Sequence, residues 1–410
     1  MTVDKTRTRR ADLPAQARGR RATDITADVL RAVLDHGPVA RSTAAKVAGY
    51  SAASMTGVAN LLIDKGLLRE APEAAGPPGV GRPHVPLTID TKSTAVVGVH
   101  LAVPRFTLAL LDLRGRVLLE HKHEYDDLDP DVALTQVARS VRGLLADVED
   151  RRILGIGVAT GGWVDAARGV VVEHPLLGWA DVPVRDRLVA EIGLPVAIDG
   201  HSRALVRAEQ LFGAHVDRAR SSIVQLFVGN VVDVAFATAG SVQQGPRSAA
   251  GAVAHLKIDD STEPCACGKV GCFEAAVSER TLVRRALDNG AIDRPVFRDL
   301  LAAASAGDPR AVALLEERAR LVGRAAAILL DLFDPDLLTV VEAGERLLPH
   351  CRAVLRAEVA AGSTAGAGSG QVVAGTSFPD HVLATAGGAV ILDRIYASPT
   401  AVPGRFSRAS

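Results

Sequence analysis

Three of the four cysteines in this 410-residue chain fall within eight positions, in the stretch HLKIDDSTEPCACGKVGCFE. Cys265, Cys267 and Cys272 join His255 in the pattern H-x9-C-x-C-x4-C. Three thiolates and an imidazole are the donor set that zinc takes in closed tetrahedral sites, whereas a catalytic zinc keeps one position open for water. Four protein ligands therefore predict a structural Zn2+, held by His255, Cys265, Cys267 and Cys272. Gly268 and Gly271 sit inside the last loop, where a tight wrap around an ion demands positive φ or close backbone approach. The fourth thiol, Cys351, stands alone in a helical stretch and reads as a small core residue. Three clustered cysteines make no disulfide framework. A start without an apolar signal core, and no apolar run of membrane-spanning length, lead us to expect a cytoplasmic, nucleoid-associated protein with no membrane partner.

A second chemistry, contact with nucleic acid, is suggested near the start of the chain. Formal charge is +0, from 47 Lys and Arg against 47 Asp and Glu, so nothing global draws the chain to a polyanion. Residues 1–22 differ: Lys5, Arg7, Arg9, Arg10, Arg18, Arg20 and Arg21 face Asp4 and Asp12, and seven minus two leaves a local +5. Such an arm suits a neighbour of a DNA-binding unit. In TDITADVLRAVLDHG, Ile25, Val29, Leu30, Val33 and Leu34 recur at helical spacing and the pattern stops at Gly37. RSTAAKVAG and SAASMTGVANLLIDKG then read as two short helices joined at Gly49 and Tyr50, the layout of a helix-turn-helix. Ser51 caps the second of them, and Met55, Val58, Leu61 and Leu62 are expected in the core. Ser42, Ser51, Ser54, Thr56 and Asn60 remain for DNA, since such units set the start of their second helix in the major groove. LLREAPEAAGPPGVGRPHVPLTID reads as a strand, a Gly/Pro loop and a strand, a hairpin wing with Arg82 near its tip or return. The plainer alternative is a small oligomerisation or linker unit.

These groups need a scaffold, and from about Thr91 the periodicity changes. STAVVGVHLAVPRFTLALLDLRGRVLLEHKHEY reads as three strands, and a helix follows through DPDVALTQVARSVRGLLADV. ILGIGVATGGWVD and LPVAIDG are further strands, the second leading into the helix SRALVRAEQLFG. After SSIVQLFVGNVVDVAFATAG and the cysteine knot the chain becomes mainly helical up to PDLLTVVEAGE. Alternating strands and helices predict an α/β fold, and two such blocks predict two lobes with a ligand cleft between them.

At this point the residues resemble a family. CACGKVGCFE is similar to the C-x-C-G-x-x-G-C-x-E signature of the ROK family (repressor, ORF, kinase), bacterial sugar kinases and sugar-responsive transcriptional regulators. GIGVATGGWVD, PLLGW and LFDPDLLTVVEAG resemble other family segments, and the winged helix resembles its regulator branch. The resemblance covers about residues 23–395. It implies an N-terminal winged helix-turn-helix followed by a two-lobed actin-like domain of the sugar kinase and ribonuclease H type.

The same resemblance implies lost catalysis. The family's first phosphate turn, D-x-G-G-T, corresponds to His100–Pro104 (HLAVP), without the acid or the glycines. The second, G-T-G-x-G-G-G, corresponds to Gly229–Ala235 (GNVVDVA), where Val231, Val232 and Asp233 would crowd and repel phosphate. The E-N-D-A-N segment corresponds to DGHSR, which puts Asp199 at the Glu, Gly200 at the Asn and His201 at the catalytic Asp. Of the family's sugar contacts, His255 and Glu274 remain, while Ala252 and Leu176 replace a Glu and an Asn. Each lost partner of a buried hydroxyl costs about 1–3 kcal/mol. Ligand contacts are therefore expected at His201, His255 and Glu274, with a saccharide or sugar-derived metabolite as the effector. Arg41 matches a family arginine at the start of the first short helix, and GRP, with Arg82, matches the wing.

The expected organisation is a basic arm over 1–22, a winged helix-turn-helix over 23–90, a two-lobed effector and oligomerisation domain over 91–396 and a flexible tail over 397–410. The expected function is a transcriptional regulator, a repressor in its commoner mode, on a catalytically inactive sugar-kinase scaffold. It would bind an inverted-repeat operator in double-stranded DNA as a homodimer or homotetramer. The alternatives are an active ATP-dependent sugar kinase fused to a DNA-binding domain, and a dimerisation scaffold without selective DNA binding.

Overall fold

The computed structural model describes residues 25–74, 85–257, 261–364 and 366–404. The first helices are α1 (Ile25–His36), α2 (Arg41–Ala48) and α3 (Ala52–Asp64), followed by strands β1 (Leu68–Glu70) and β2 (Leu87–Ile89). β1 and β2 pair antiparallel as the base of the wing. Val29, Leu30 and Val33 of α1 close with Met55, Ala59 and Leu62 of α3 over one core. Leu61 departs from expectation and is 38% exposed. With 3.6 residues per turn, positions 55, 59 and 62 share a stripe and position 61 points away from it.

The first lobe follows: β3 (Thr94–Leu101), β4 (Arg105–Leu111), β5 (Val117–Glu124), α4 (Pro130–Asp147), β6 (Arg152–Thr160), β7 (Trp163–Asp165), β8 (Val170–His174), β9 (Trp179–Val182), α5 (Val184–Ile192) and β10 (Val196–Gly200). Its main sheet has the order β10-β6-β3-β4-β5, with β3–β4 antiparallel and β3–β6 and β6–β10 parallel. Every residue of β3 is buried, as a central strand covered on both faces requires. Helices α6 (His201–Phe212) and α7 (Val216–Ser221) lead into the second lobe.

That lobe contains β11 (Ser222–Val228), β12 (Val232–Thr238), β13 (Ser241–Val242), α8 (Phe273–Val277), α9 (Glu279–Asp288), α10 (Phe297–Ser305), α11 (Pro309–Phe333), β14 (Leu337–Val341), α12 (Ala343–Leu347), α13 (Pro349–Gly362) and β15 (Val373–Gly375). Its sheet runs β13-β12-β11-β14-β15. Cys351 lies fully buried in the core beside this sheet. The last helix, α14 (Val382–Ala397), returns to lie on the first sheet. A Cβ on Gly98 of β3 would meet the Gly388 amide nitrogen at 2.5 Å, so the contact exists because glycines face each other there.

Two boundaries differ from the sequence reading. The core of the helix-turn-helix continues into the first lobe through Leu113, Ile395, Tyr396 and Val402. The expected tail from 397 is packed as far as it is described: Pro399–Ala401 form a helical turn and Val402 is buried. Lys65 Nζ donates to the Thr400 carbonyl at 2.9 Å and to that of Val402. An apolar residue and a backbone that satisfies a buried ammonium hold this segment down, neither of which its composition announces.

Candidate functional site

The surface expected to meet DNA is built around the turn between α2 and α3. Gly49 takes the left-handed conformation, φ 79°, that ends α2. Ser51 opens α3, its Oγ accepting from the Ser54 amide at 3.3 Å, and Tyr50 Oη donates to Asp28 at 2.7 Å, tying the turn to α1. Ser42, Ser51, Ser54, Thr56 and Asn60 are all exposed, together on the outer side of this pair of helices. Arg41 is half-buried and ion-paired at 2.9 Å with Glu70 of the wing strand, which fixes its guanidinium at the wing's base. Arg82 and the arm over 1–22 lie outside the described residues. α3 itself carries no basic side chain along AASMTGVANLLID.

A cleft of about 840 Å3 opens between the lobes. His201, at the first turn of α6, lines its floor with His100 and His174. His100 Nε2 and His201 Nδ1 are 3.3 Å apart in one hydrogen bond, so the neutral pair offers one donor and one acceptor at its two outer nitrogens. Neither His100 Nδ1 nor His201 Nε2 has a partner in the protein. Burial drives His100 down to about 3 and His174 to about 4, and holds His201 well below the usual imidazole range. Asp233 Oδ2 stands 3.9 Å from His201 Nε2, too far for a hydrogen bond, and desolvation pushes its carboxyl up to about 7. An imidazole that resists protonation this strongly is a poor proton acceptor.

The turn that would cradle phosphate is otherwise engaged. The Gly229 amide donates to the Val231 carbonyl at 3.0 Å. The Val232 amide donates to Glu274 Oε2 at 3.0 Å. Val234 donates to its neighbour Asp233 Oδ1 at 2.9 Å. Val231 leans across the cleft, so a Cβ on Gly161 would lie 2.8 Å from its Cγ2. The Phe227 ring packs against His201 at a tilt of 34°, with ring centres 4.1 Å apart. At the former acidic position, Asp199 is tied up by Arg203 Nε at 2.6 Å and Arg207 Nη1 at 2.6 Å. The spacing D-x3-R-x3-R within DGHSRALVR carried that network in the sequence, an acid at the end of β10 and two arginines one turn apart on α6, and sequence reasoning passed over it. Val231 and Phe227 gave no comparable signal, because only the folded chain brings them to His201.

The structure does not bring His255 and Glu274 to the cleft floor with His201. Neither lines the cleft: His255 is exposed in the knot, and the Glu274 carboxylate is spent on the Val232 amide. In the knot, the ligand atoms of His255, Cys265, Cys267 and Cys272 all lie within 4.8 Å of one another. Cys265 Sγ is 3.5 Å from His255 Nδ1, and Cys267 Sγ is 3.7 Å from Cys272 Sγ. A disulfide needs about 2.05 Å, whereas a tetrahedron with zinc–sulfur bonds of about 2.3 Å has edges of about 3.8 Å. The donor set and its spacing fit a metal ion. Gly268 and Gly271 both have positive φ, 84° and 76°, and a Cβ on Gly271 would strike the Ser261 carbonyl at 2.3 Å. Hydrogen bonds from Phe273 N to the Leu256 carbonyl and from Glu274 N to the Ala254 carbonyl stitch α8 to the segment that carries His255.

Comparison with known proteins agrees with this geometry. The ROK family pattern matches residues 96–359. A transcriptional regulator of Mycobacterium tuberculosis (strain ATCC 25618 / H37Rv) is 32% identical over 387 residues, which cover 91% of this chain and 86% of that protein. A xylose repressor of Caldicellulosiruptor bescii is 26% identical over 330 residues, 76% of this chain and 81% of that one. Among solved structures, a ROK family transcriptional regulator described as a homologue of the E. coli MLC protein superposes with a TM-score of 0.73 at 24% identity, covering 91% of this chain and 98% of the other.

Proposed function

The chain belongs to the ROK family, and from that premise we propose that it is a DNA-binding transcriptional regulator, acting as a repressor, built on a sugar-kinase scaffold that no longer transfers phosphate. The observation that carries the reading is the pairing of a helix-turn-helix, with Ser42, Ser51, Ser54, Thr56 and Asn60 exposed on it, and a turn at the phosphate position in which the amides of Gly229, Val232 and Val234 are bonded within the protein. Arg41 and Arg82 serve the phosphate backbone and the wing contact, and the arm over 1–22 adds sequence-independent attraction. The protein acts as a homodimer or homotetramer on an inverted repeat. The relative named a xylose repressor and the donor–acceptor ends of the histidine pair both support a saccharide or sugar-derived effector in the cleft. Among the described residues no helix is long and apolar enough to cross a membrane.

The test begins with genome-wide mapping of bound DNA, which identifies the operator. On that operator, Asn60→Ala is expected to weaken binding by about 1–3 kcal/mol and to relax base choice at one position of each half-site, as loss of an amide contact to a base edge does. Unchanged affinity and selectivity would show that α3 does not read bases. For the scaffold, a panel of hexoses and N-acetylhexosamines with ATP is expected to give no ADP release above the buffer rate. Turnover that disappears in His201→Ala would instead make the protein a kinase with a fused DNA-binding domain.

A further inference from the structure

Two adjacent residues at the end of α1 are held by different lobes. Arg114, in the β4–β5 turn of the first lobe, donates from Nη1 to the Leu34 carbonyl at 3.1 Å. Arg220, in α7 at the entrance to the second lobe, grips the Asp35 carboxylate with two guanidinium nitrogens at 2.7 and 2.9 Å. Arg220 is itself anchored, its Nε donating to the Gln210 carbonyl at 2.8 Å. Among the described residues, α1 otherwise packs on α14 and on the turn at Pro399–Ala401, on the side of the first lobe. The core of the helix-turn-helix is continuous with Leu113, Tyr396 and Val402, and Arg152 ties the Lys65 carbonyl at 3.1 Å to the Pro403 carbonyl at 2.7 Å. Among the described residues, the helix-turn-helix thus packs on the first lobe and is gripped from α7 by one bidentate pair.

The lobes also touch at the cleft floor. There Gly161 and His201 of the first lobe meet Val231 and Phe227 of the second, so close that one added methyl group at Gly161 would reach Val231 at 2.8 Å. A ligand entering the floor would meet these contacts first, and parting them would open the angle between the lobes. A fork-on-carboxylate pair has narrow geometric tolerance, so relative movement of Arg114 and Arg220 cannot leave both of α1's contacts as they are. Half-buried Arg31 faces both Asp35 and Arg220. Arg31 is thus a second cation near Asp35, carried on α1 itself.

We propose that the Asp35–Arg220 bridge is the coupling element that transmits the angle between the lobes to the helix-turn-helix. The proposal rests on the regulator reading, and it makes Asp35 and Arg220 positioning residues that touch neither DNA nor effector.

The test needs no effector, because Gly161→Ala is a wedge at the cleft floor. Full-length wild type, Gly161→Ala, Arg220→Gln and the double variant are compared by amide hydrogen exchange over residues 25–64 and by operator affinity. Exchange at residues 227–232 reports whether the wedge has moved the floor; if it has not, the larger Gly161→Val replaces it. The expected result is a change of about 5-fold or more in both readouts when the wedge is added to wild type, and less than about 2-fold when it is added to Arg220→Gln. The exchanged pair Asp35→Arg with Arg220→Asp is expected to restore the response. A wedge that moves the floor but leaves residues 25–64 unmoved overturns the proposal, as does an equal effect in both backgrounds. Should wild type bind no operator at all, the regulator reading fails while the exchange comparison still decides whether the bridge couples the two regions.

Discussion

Stripping zinc with a chelator, or replacing Cys267 by Ser, is expected to lower the thermal unfolding midpoint by about 10 °C or more and to raise exchange across residues 253–280. Structural zinc contributes about 10–16 kcal/mol of apparent binding free energy in small peptides. At about 2–4 °C per kcal/mol in chains of 150–250 residues, even a fraction of that felt globally is a large shift. Cys267 is the informative site because it is exposed. Without an ion, exchanging a solvent-facing thiol for a hydroxyl changes almost nothing, since surface substitutions usually stay within about 0.5 kcal/mol. The effect should also spread to the cleft. α8 and α9 follow directly from Cys272, and from them Glu274 holds the Val232 amide while the Glu279 amide holds the Gly229 carbonyl. Loosening the knot therefore frees the turn that blocks phosphate. A metal content near zero per chain, with Cys267→Ser as stable as wild type, would remove zinc from the account.

The features legible in the sequence were those that local spacing encodes. A 3.6-residue period announced α1 and α3, Gly49 announced the turn, and four ligands within 18 positions announced the knot. Leu61 was misplaced because a run of apolar residues was read as one face when the helix period splits it. What spacing could not carry was anything that closes over long separations. Asp35 and Arg220 lie 185 residues apart, and the shared core of the helix-turn-helix and first lobe depends on α14, which the chain reaches only at Val382. His255 and Glu274 were expected beside His201 through family resemblance. Neither lines the cleft: His255 stays with the cysteines of the knot, where it was also expected, and the Glu274 carboxylate accepts from the Val232 amide. In this valine-rich turn the amides of Gly229, Val232 and Val234 find acceptors within the protein.

The lower wall of the cleft depends on a second buried device, and Arg318→Ala is expected to destabilise the protein by about 3–5 kcal/mol, read from the shift of the urea midpoint. Arg318 is 1% exposed in the middle of α11. Its Nη2 donates to the Val228 carbonyl at the end of β11 at 2.9 Å, and its Nη1 stands 3.1 Å from Glu342 Oε1 at the end of β14. The guanidinium also lies over the Phe297 ring, 5.1 Å from its centre. One cation thus joins two neighbouring strand ends, both of which line the cleft. Glu342 is committed on its other side as well, since its Oε2 accepts from the Glu345 amide at 2.5 Å and caps α12. Truncating Arg318 therefore strands a buried carboxylate that cannot turn away to water without uncapping a helix. The cost should come from that orphaned charge rather than from the lost pair, because buried ion pairs and apolar substitutes of equal volume are often equally stable. The double variant Arg318→Met with Glu342→Gln removes both charges while keeping the capping oxygen, and it should recover most of the loss. If the double variant is no more stable than Arg318→Ala, the orphaned charge is not the source of the cost; if Arg318→Met alone recovers as much as the double variant, the packing of the stem is what holds the wall.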